Sequence, residues 1–440
     1  MRISGTARHV ISGKTPLNSL QIRVYQSLEQ LETLRPAWAE LLAEFPSATT
    51  FSSWEWLAPW WRAFGESREL LALAFLDDSG KLVGLAPLQI SRRHVPLFFP
   101  LRVLGLWGDD SSDSDNLDIP VLPGYEALVV AALVEFLQRE AARWDVCEFN
   151  TMPAESPVAA ELVARLGERG WTSYRSQRVA LAISLPETWE MYLRRLSSKE
   201  RGKIAYYRNR LQKKYRTRFY RCQSGEEVFA RLESLFALHR KRWQIQGQMG
   251  SFASTTRCRF YQEMAGLLAG HDELEFWLLD LDGKPAAAQF GFRHRDTVFQ
   301  LQEGFDPAYF SDSVGYVLRA HVLEQLIARG VRRYDFLAGE AESKARWATE
   351  ASYYLNQHFA RPFSAGAAWL RAIHAKTESK EWLREHLPSD AWQVLHALNQ
   401  KFQGNGRASN LKTISVDAPR MGIFRDREIV ARSDPAAEAK

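Results

Sequence analysis

One arrangement occurs twice in this chain, and it restricts the folds open to it. Residues 70–90, LLALAFLDDSGKLVGLAPLQI, read as two apolar strands joined at Asp78-Ser79-Gly80, and residues 274–292, LEFWLLDLDGKPAAAQFGF, repeat the plan around Asp282-Gly283. Each hairpin is followed by a loop rich in Asp, Gly and Pro, then an amphipathic helix, then a short strand. In the first copy these are GDDSSDSDNLDIPVLPG, YEALVVAALVEFLQREAARW and DVCEFN; in the second they are EGFDPAYFSDSVG, YVLRAHVLEQLIARG and RYDFLAG. The strand QIRVY and two helical stretches precede the first hairpin, while a basic helix, GEEVFARLESLFALHRKRW and RCRFYQEMAGLL precede the second. This order is mixed α/β (α+β), and two copies argue for duplicated domains, each a mixed sheet flanked by helices, rather than a solenoid.

A length of 440 residues, with 46% apolar and 25% charged, is enough for two packed cores. The longest apolar run, Ala127 to Val134, lies between Glu126 and Glu135 and falls well short of the roughly 18 residues of a membrane span. The N-terminal residues 1–19 are basic, lack the apolar core of a signal peptide and read as a flexible lead. Cys147, Cys222 and Cys258 are odd in number, far apart and without CxxC spacing, so a disulfide framework or a zinc site is not expected. A reducing, cytoplasmic setting follows. The expected layout is domains at 20–183 and 184–365, a helical segment at 366–403 and a disordered tail at 404–440.

The loop FDPAYFSDSVG ends a strand and begins a helix whose Val317, Leu318, His321, Val322, Gln325 and Leu326 recur at three- and four-residue steps, with a Ser or Asp expected as cap. Free N–H groups at such a helix start form a site for an anion such as a phosphate; a merely well-capped helix is the alternative. His239 is the best base by residue type, although its place on the apolar side of its helix also fits a core histidine. Glu303 and Asp306 flank the loop and are the carboxylate candidates; Asp306, before Pro307, equally fits turn chemistry. Asp115 and Asp118 occupy the matching loop of the first copy and suit a cationic amine or a sugar. Five aspartates there, in GDDSSDSDNLDIP, lack the central Gly and terminal Glu of a calcium loop, and no metal is expected. Trp243, Asp335, Lys344 and Trp347 are further candidates for holding an acceptor, and Tyr309, Tyr316 and Tyr334 for donating a proton.

Two surfaces suggest partners. Residues 194–221 hold twelve Lys or Arg against one acid, Glu200, a field suited to nucleic acid, lipid headgroups or phosphates, or simply a solvated helix face. In RRHVPLFFPLR, residues 92–102, apolar bulk lies between basic residues, as in proteins that touch an anionic bilayer, which would put the protein at the periphery of the inner membrane. Most of the 15 Trp, 14 Tyr and 24 Phe are expected in the cores.

The ordered motifs LHRKRWQIQG, DGKPAAAQFGF, EGFDPAYFSDSVGYVL and YDFLAGEAESKARW resemble the GNAT-superfamily acyltransferases of the BioF2-like/CelD-like group, relatives of the FemAB peptidyltransferases. The resemblance covers about residues 20–365. It implies two tandem GNAT-like domains with a substrate cleft, and an N- or O-acyltransferase. In such a fold the loop at Ser311, Ser313, Val314, Gly315 and Tyr316 would offer backbone N–H groups to the pyrophosphate of acyl-CoA, a co-substrate rather than a tightly bound cofactor. The usual loop pattern, Gln or Arg, two residues, Gly, one residue, Gly or Ala, keeps only Gly315, and Asp312 stands beside it. Acyl carrier protein is a further donor, and aminoacyl-tRNA is the donor in the FemAB-like alternative, the one case that calls for nucleic acid. The group's acceptors are precursors of exopolysaccharide or cellulose, and one branch resembles bacterial ceramide synthases, which acylate a long-chain base. A non-catalytic partner in polysaccharide synthesis is the third reading.

Overall fold

A computed structural model of the chain describes residues 20–386 apart from 96–99, 110, 112, 246, 270–272 and 340. The readings made for residues 1–19 and 387–440, and for the centre of RRHVPLFFPLR, lie outside the described residues. The first repeat runs β1 (Gln21–Tyr25), α1 (Leu28–Glu32), α2 (Arg35–Glu44), α3 (Trp54–Phe64), β2 (Glu69–Leu76), β3 (Leu82–Arg93), β4 (Leu101–Leu106), α4 (Glu126–Arg139), β5 (Val146–Pro153), α5 (Pro157–Glu168) and β6 (Thr172–Ser184). The second runs α6 (Trp189–Arg195), α7 (Ser198–Lys214), β7 (Thr217–Arg221), α8 (Gly225–Gln244), α9 (Thr255–Ala269), β8 (Leu274–Leu281), β9 (Lys284–His294), β10 (Thr297–Phe305), α10 (Val314–Ala328), β11 (Arg333–Ala338), α11 (Glu342–Ala345) and β12 (Glu350–Ala360); α12 (Ala365–His386) follows.

Both hairpins form where the turn residues demand them. Asp282 and Gly283 both take positive φ, 51° and 81°, the pair a two-residue turn needs to match the twist of its strands. In the first copy Asp77 Oδ1 accepts the N–H groups of Ser79 and Lys81, each at 2.9 Å, and Gly80 takes the left-handed position.

The strands join into one twelve-stranded sheet in the order β1-β2-β3-β4-β5-β12-β6-β11-β10-β9-β8-β7. The order reads as two copies of a six-stranded unit related by a pseudo-twofold axis, with their last strands exchanged. β6 ends the first repeat yet pairs with β11 of the second, and β12 ends the second yet pairs with β5 of the first. β6 and β12 themselves pair antiparallel from Thr172↔Ala360 to Ala182↔Glu350, which closes the centre of the sheet. Each half also repeats one backbone irregularity. Thr151 in β5 and Leu337 in β11 take φ of 57° and 61° where the register slips against the exchanged neighbour.

The large core runs through both halves, uniting Trp38, Trp56 and Trp60 of the first with Phe260, Phe290 and Phe292 of the second. The indole N–H groups of Trp38, Trp56 and Trp60 donate to Ser52 O, Ser114 Oγ and Ser111 Oγ, so burying them strands no donor. Residues 101–106, in the stretch read for membrane contact, form β4 with most side chains buried; Arg93 pairs with Glu148 and Arg102 with Asp145.

Candidate active site

In each half one parallel pair holds together briefly and then opens. β10 pairs with β11 only over Thr297–Phe299 and Arg333–Asp335, and β4 with β5 only over Val103–Gly105 and Val146–Glu148. Beyond these points the two strands of each pair are no longer hydrogen-bonded to one another. In the first half the residues past the opening bond to one another, Asn150 Nδ2 donating to Asp109 at 2.7 Å and His358 Nε2 lying 2.9 Å from Asn150 Oδ1.

The second opening gathers charge. Glu303 from β10 accepts from Arg242 of α8 at 2.9 Å and from Arg319 of α10. Burial alone would raise the Glu303 pKa, but the two guanidinium groups hold it below the ordinary carboxylate value, so it is ionised at neutral pH. Lys344 of α11 donates to the carbonyl oxygens of Phe336 and Ala338, at 2.7 and 2.9 Å. The left-handed backbone at Leu337, bridged by its N–H donating to Asp335 Oδ1 at 2.7 Å, lies between these two carbonyls. Burial lowers the Lys344 pKa, while the Asp115 and Glu303 carboxylates pull the other way. Asp115 crosses from the first half, its Oδ2 accepting the Ala338 N–H at 3.1 Å and its Oδ1 3.8 Å from Arg178 of β6. Burial raises its pKa against the pull of Arg178, and burial likewise raises Asp335 against Arg333. The arrangement can take a proton at a carboxylate of raised pKa and stabilise developing negative charge beside cations among largely buried side chains.

Four of the expected residues, Glu303, Asp335, Lys344 and Asp115, therefore meet, joined by Arg178, Arg242 and Arg319. The signal for Arg319 was an arginine within the apolar run Val317-Leu318-Arg319-Ala320, where it is only 5% exposed. Nothing in the local pattern distinguished Arg242 from its basic neighbours.

The other candidates lie elsewhere or are engaged. His239 is buried, and its Nε2 accepts the Trp243 indole N–H at 2.9 Å, which leaves the proton of the neutral ring on Nδ1. Burial, then Arg242 and Arg257, push its pKa down to about 4. Asp306 pairs with Lys241 at 2.5 Å and caps the 3₁₀ turn Pro307–Asp312 through the Ala308 N–H. Asp118 accepts from Ser156 Oγ at 3.0 Å, and burial pushes its pKa up to about 7. Tyr316 donates to Glu200 at 2.9 Å and packs on Trp347; Tyr309 packs edge-on against Tyr215; Tyr334 is buried.

The loop before α10 requires one correction. The expected side-chain cap is not made: Ser313 adopts a left-handed conformation with no capping bond, and the 3₁₀ turn is inserted ahead of it. Asp312 points inward and is 1% exposed, held by Arg210 at 2.7 Å, Lys214 at 3.0 Å and Tyr215 at 2.9 Å. Burial would raise its pKa, yet these bonds keep it low, so its charge is covered rather than turned toward an incoming anion. Ser311 is exposed, Val314 is buried, and Gly315 leaves the start of α10 without a side chain.

The segment carrying this site can be compared with known proteins. Residues 198–345 match the acetyltransferase (GNAT) domain family. A solved structure of FemX superposes with a TM-score of 0.55 at 10% identity, covering 80% of this chain and 99% of that one. The C-terminal domain of a putative lysylphosphatidylglycerol synthetase from Agrobacterium fabrum gives 0.46 at 9%, covering 79% and 96%. A tandem GNAT protein from the clavulanic acid biosynthesis pathway gives 0.42 at 13%, covering 78% and 99%. No curated protein matches the chain. The fold is GNAT-like and FemX-like: two tandem GNAT-like domains sharing one sheet.

Proposed function

We propose that the protein is an acyltransferase, moving an acyl group from an activated donor, acyl-CoA in the first instance, to an amine or hydroxyl of a lipid or polysaccharide precursor. The observation that carries this reading is the meeting of Glu303, Arg319 and Lys344, at the end of β10 and β11 and within the segment that matches the GNAT domain, with Asp115 brought in from the first half. Asp115, its pKa raised by burial, takes the proton from the attacking amine or hydroxyl. The new bond to the acyl carbon forms as the carbonyl electrons move onto oxygen. Lys344 spends two N–H groups on carbonyls and keeps a third direction for that oxyanion. The tetrahedral centre collapses with loss of thiolate, which receives the proton. The start of α10, with Asp312 covered and Gly315 bare, is the place for the donor's phosphates.

The resemblance to the BioF2-like/CelD-like group supports an exopolysaccharide, cellulose or long-chain-base acceptor. Aminoacyl-tRNA is the second donor reading, supported by the basic outer face of α7. Calorimetric titration with coenzyme A, acetyl-CoA and a long-chain acyl-CoA at two salt concentrations separates them. Affinity that rises with chain length supports a lipid-sized acyl-CoA site. In that case Lys344→Met should bind the donor yet lower turnover by about 100-fold or more. Absence of binding by all three would remove acyl-CoA as donor.

A further inference from the structure

Four of the exposed apolar side chains among the described residues fall in neighbouring segments, while the most exposed, Phe363 at 97%, follows β12 elsewhere in the chain. Met249, Phe310, Ile245 and Tyr206 are 79%, 72%, 61% and 56% exposed, and they belong to three neighbouring pieces: the segment just past α8, the 3₁₀ turn after β10, and the outer face of α7. Those pieces are tied together. Lys241 of α8 bonds Asp306 at the foot of the turn, Phe310 lies 6.4 Å from Phe305, and the Arg242 guanidinium sits 5.7 Å from the same Phe305 ring. On the far side Arg210 and Lys214 of α7 clasp Asp312, and Arg210 also donates to Tyr206 Oη at 3.2 Å.

The strip has a definite charge. Its acids are all neutralised, Asp306 by Lys241, Asp312 by two cations and Glu200 by Lys203 at 2.6 Å. Lys199 and Lys213 stay exposed on α7. Exposed apolar tips ringed by surplus cations suit a fluid partner that takes the tips among acyl chains and the lysines among phosphates. Ile245 and Met249 have no ring to stack on a base, so RNA would leave half of the apolar tips unused.

We propose that this strip docks the protein on an anionic lipid bilayer. The site differs from the stretch at residues 92–102 expected from sequence, whose β4 residues are mostly buried in the sheet. Because the strip borders the loop ahead of α10, docking would turn the mouth of the β10–β11 opening toward lipid. That consequence rests on the acyltransferase reading; the docking itself does not.

The test is flotation of the full chain with vesicles of phosphatidylcholine alone and of phosphatidylcholine mixed with phosphatidylglycerol. The wild type should float with the mixed vesicles and not with the neutral ones, and less as salt rises. A triple variant, Ile245→Ser, Met249→Ser and Phe310→Ser, should lose about tenfold or more of the bound fraction. Lys199→Glu with Lys213→Glu should do the same, and both variants should keep the wild-type melting temperature because every altered side chain is exposed. No flotation with the mixed vesicles would overturn the proposal, as would flotation unaffected by the triple variant. It would equally fall if the same changes abolished tRNA binding or a concentration-dependent dimer while flotation stayed absent. Flotation without acyl transfer would leave docking standing and sink the enzymatic reading.

Discussion

At the scale of single residues, position decides chemistry more than residue type does. His239 is the obvious base by type, yet its indole partner and its burial leave it neutral and occupied, with a pKa near 4. The pH–rate profile of any transfer should therefore show no limb near 6.5 arising from His239, and a limb lost in His239→Gln but present in wild type would contradict this. Two glycines of one short stretch should also behave differently. A Cβ at Gly304 would come within 2.5 Å of the His239 backbone nitrogen, since α8 crosses the end of β10 at backbone distance. At Gly315 the nearest atom is a Phe305 ring carbon at 3.7 Å. Gly304→Ala should cost ~1–3 kcal/mol and Gly315→Ala well under 1, read as midpoints of urea unfolding. Asp118 gives a pH signature. Its carboxyl ionises near 4 in the unfolded chain and near 7 when folded, so the folded state keeps a proton that the unfolded state has lost between those values. Stability contributed at this site falls as pH rises from about 4 to about 7 and is flat above. Asp118→Asn, which keeps the acceptor for Ser156, should be the more stable protein at pH 8 by up to ~4 kcal/mol and show little difference at pH 4. Equal melting temperatures for the two proteins at pH 8 would refute the assignment.

At the scale of elements, the exchanged strands are the feature the pattern of residues concealed. The hairpins, α4, α10, β5 and β11 were legible because apolar residues recur at the right period between turn residues. β6 reads TSYRSQRVALAIS and β12 reads EASYYLNQHFA, both with polar side chains on a partly open face, so neither shows the apolar run by which the other strands were found. Each also takes its partners from the other repeat, which no local pattern encodes. A chain cut after Ser184 should therefore yield halves that cannot fold alone, because β11 loses β6, and β12 loses both β6 and β5. Residues 1–184 and 185–440 expressed separately should be insoluble or lack a cooperative melt, and co-expressed they should associate. A cooperative melt of residues 185–440 alone would show that the exchange is dispensable.

At the scale of the molecule, one sheet and one large core cross the boundary between the repeats, so the two copies should unfold together. Calorimetry should give a single transition for residues 20–386; two resolved transitions would mean that the halves are energetically separate despite the shared strands. The repeated hairpin, loop, helix and strand were determined by the sequence alone, because turn chemistry and apolar period act over a few residues. So were the candidates Glu303, Asp335, Lys344 and Asp115, picked out as polar groups at the ends of predicted strands and in their loops. Only the tertiary structure decided that Asp115 of one repeat meets Lys344 of the other, that Arg242 and Arg319 neutralise Glu303, and that Asp312 faces inward. Ion pairs and burial depend on distances between segments far apart along the chain, and those distances exist only once the sheet has closed.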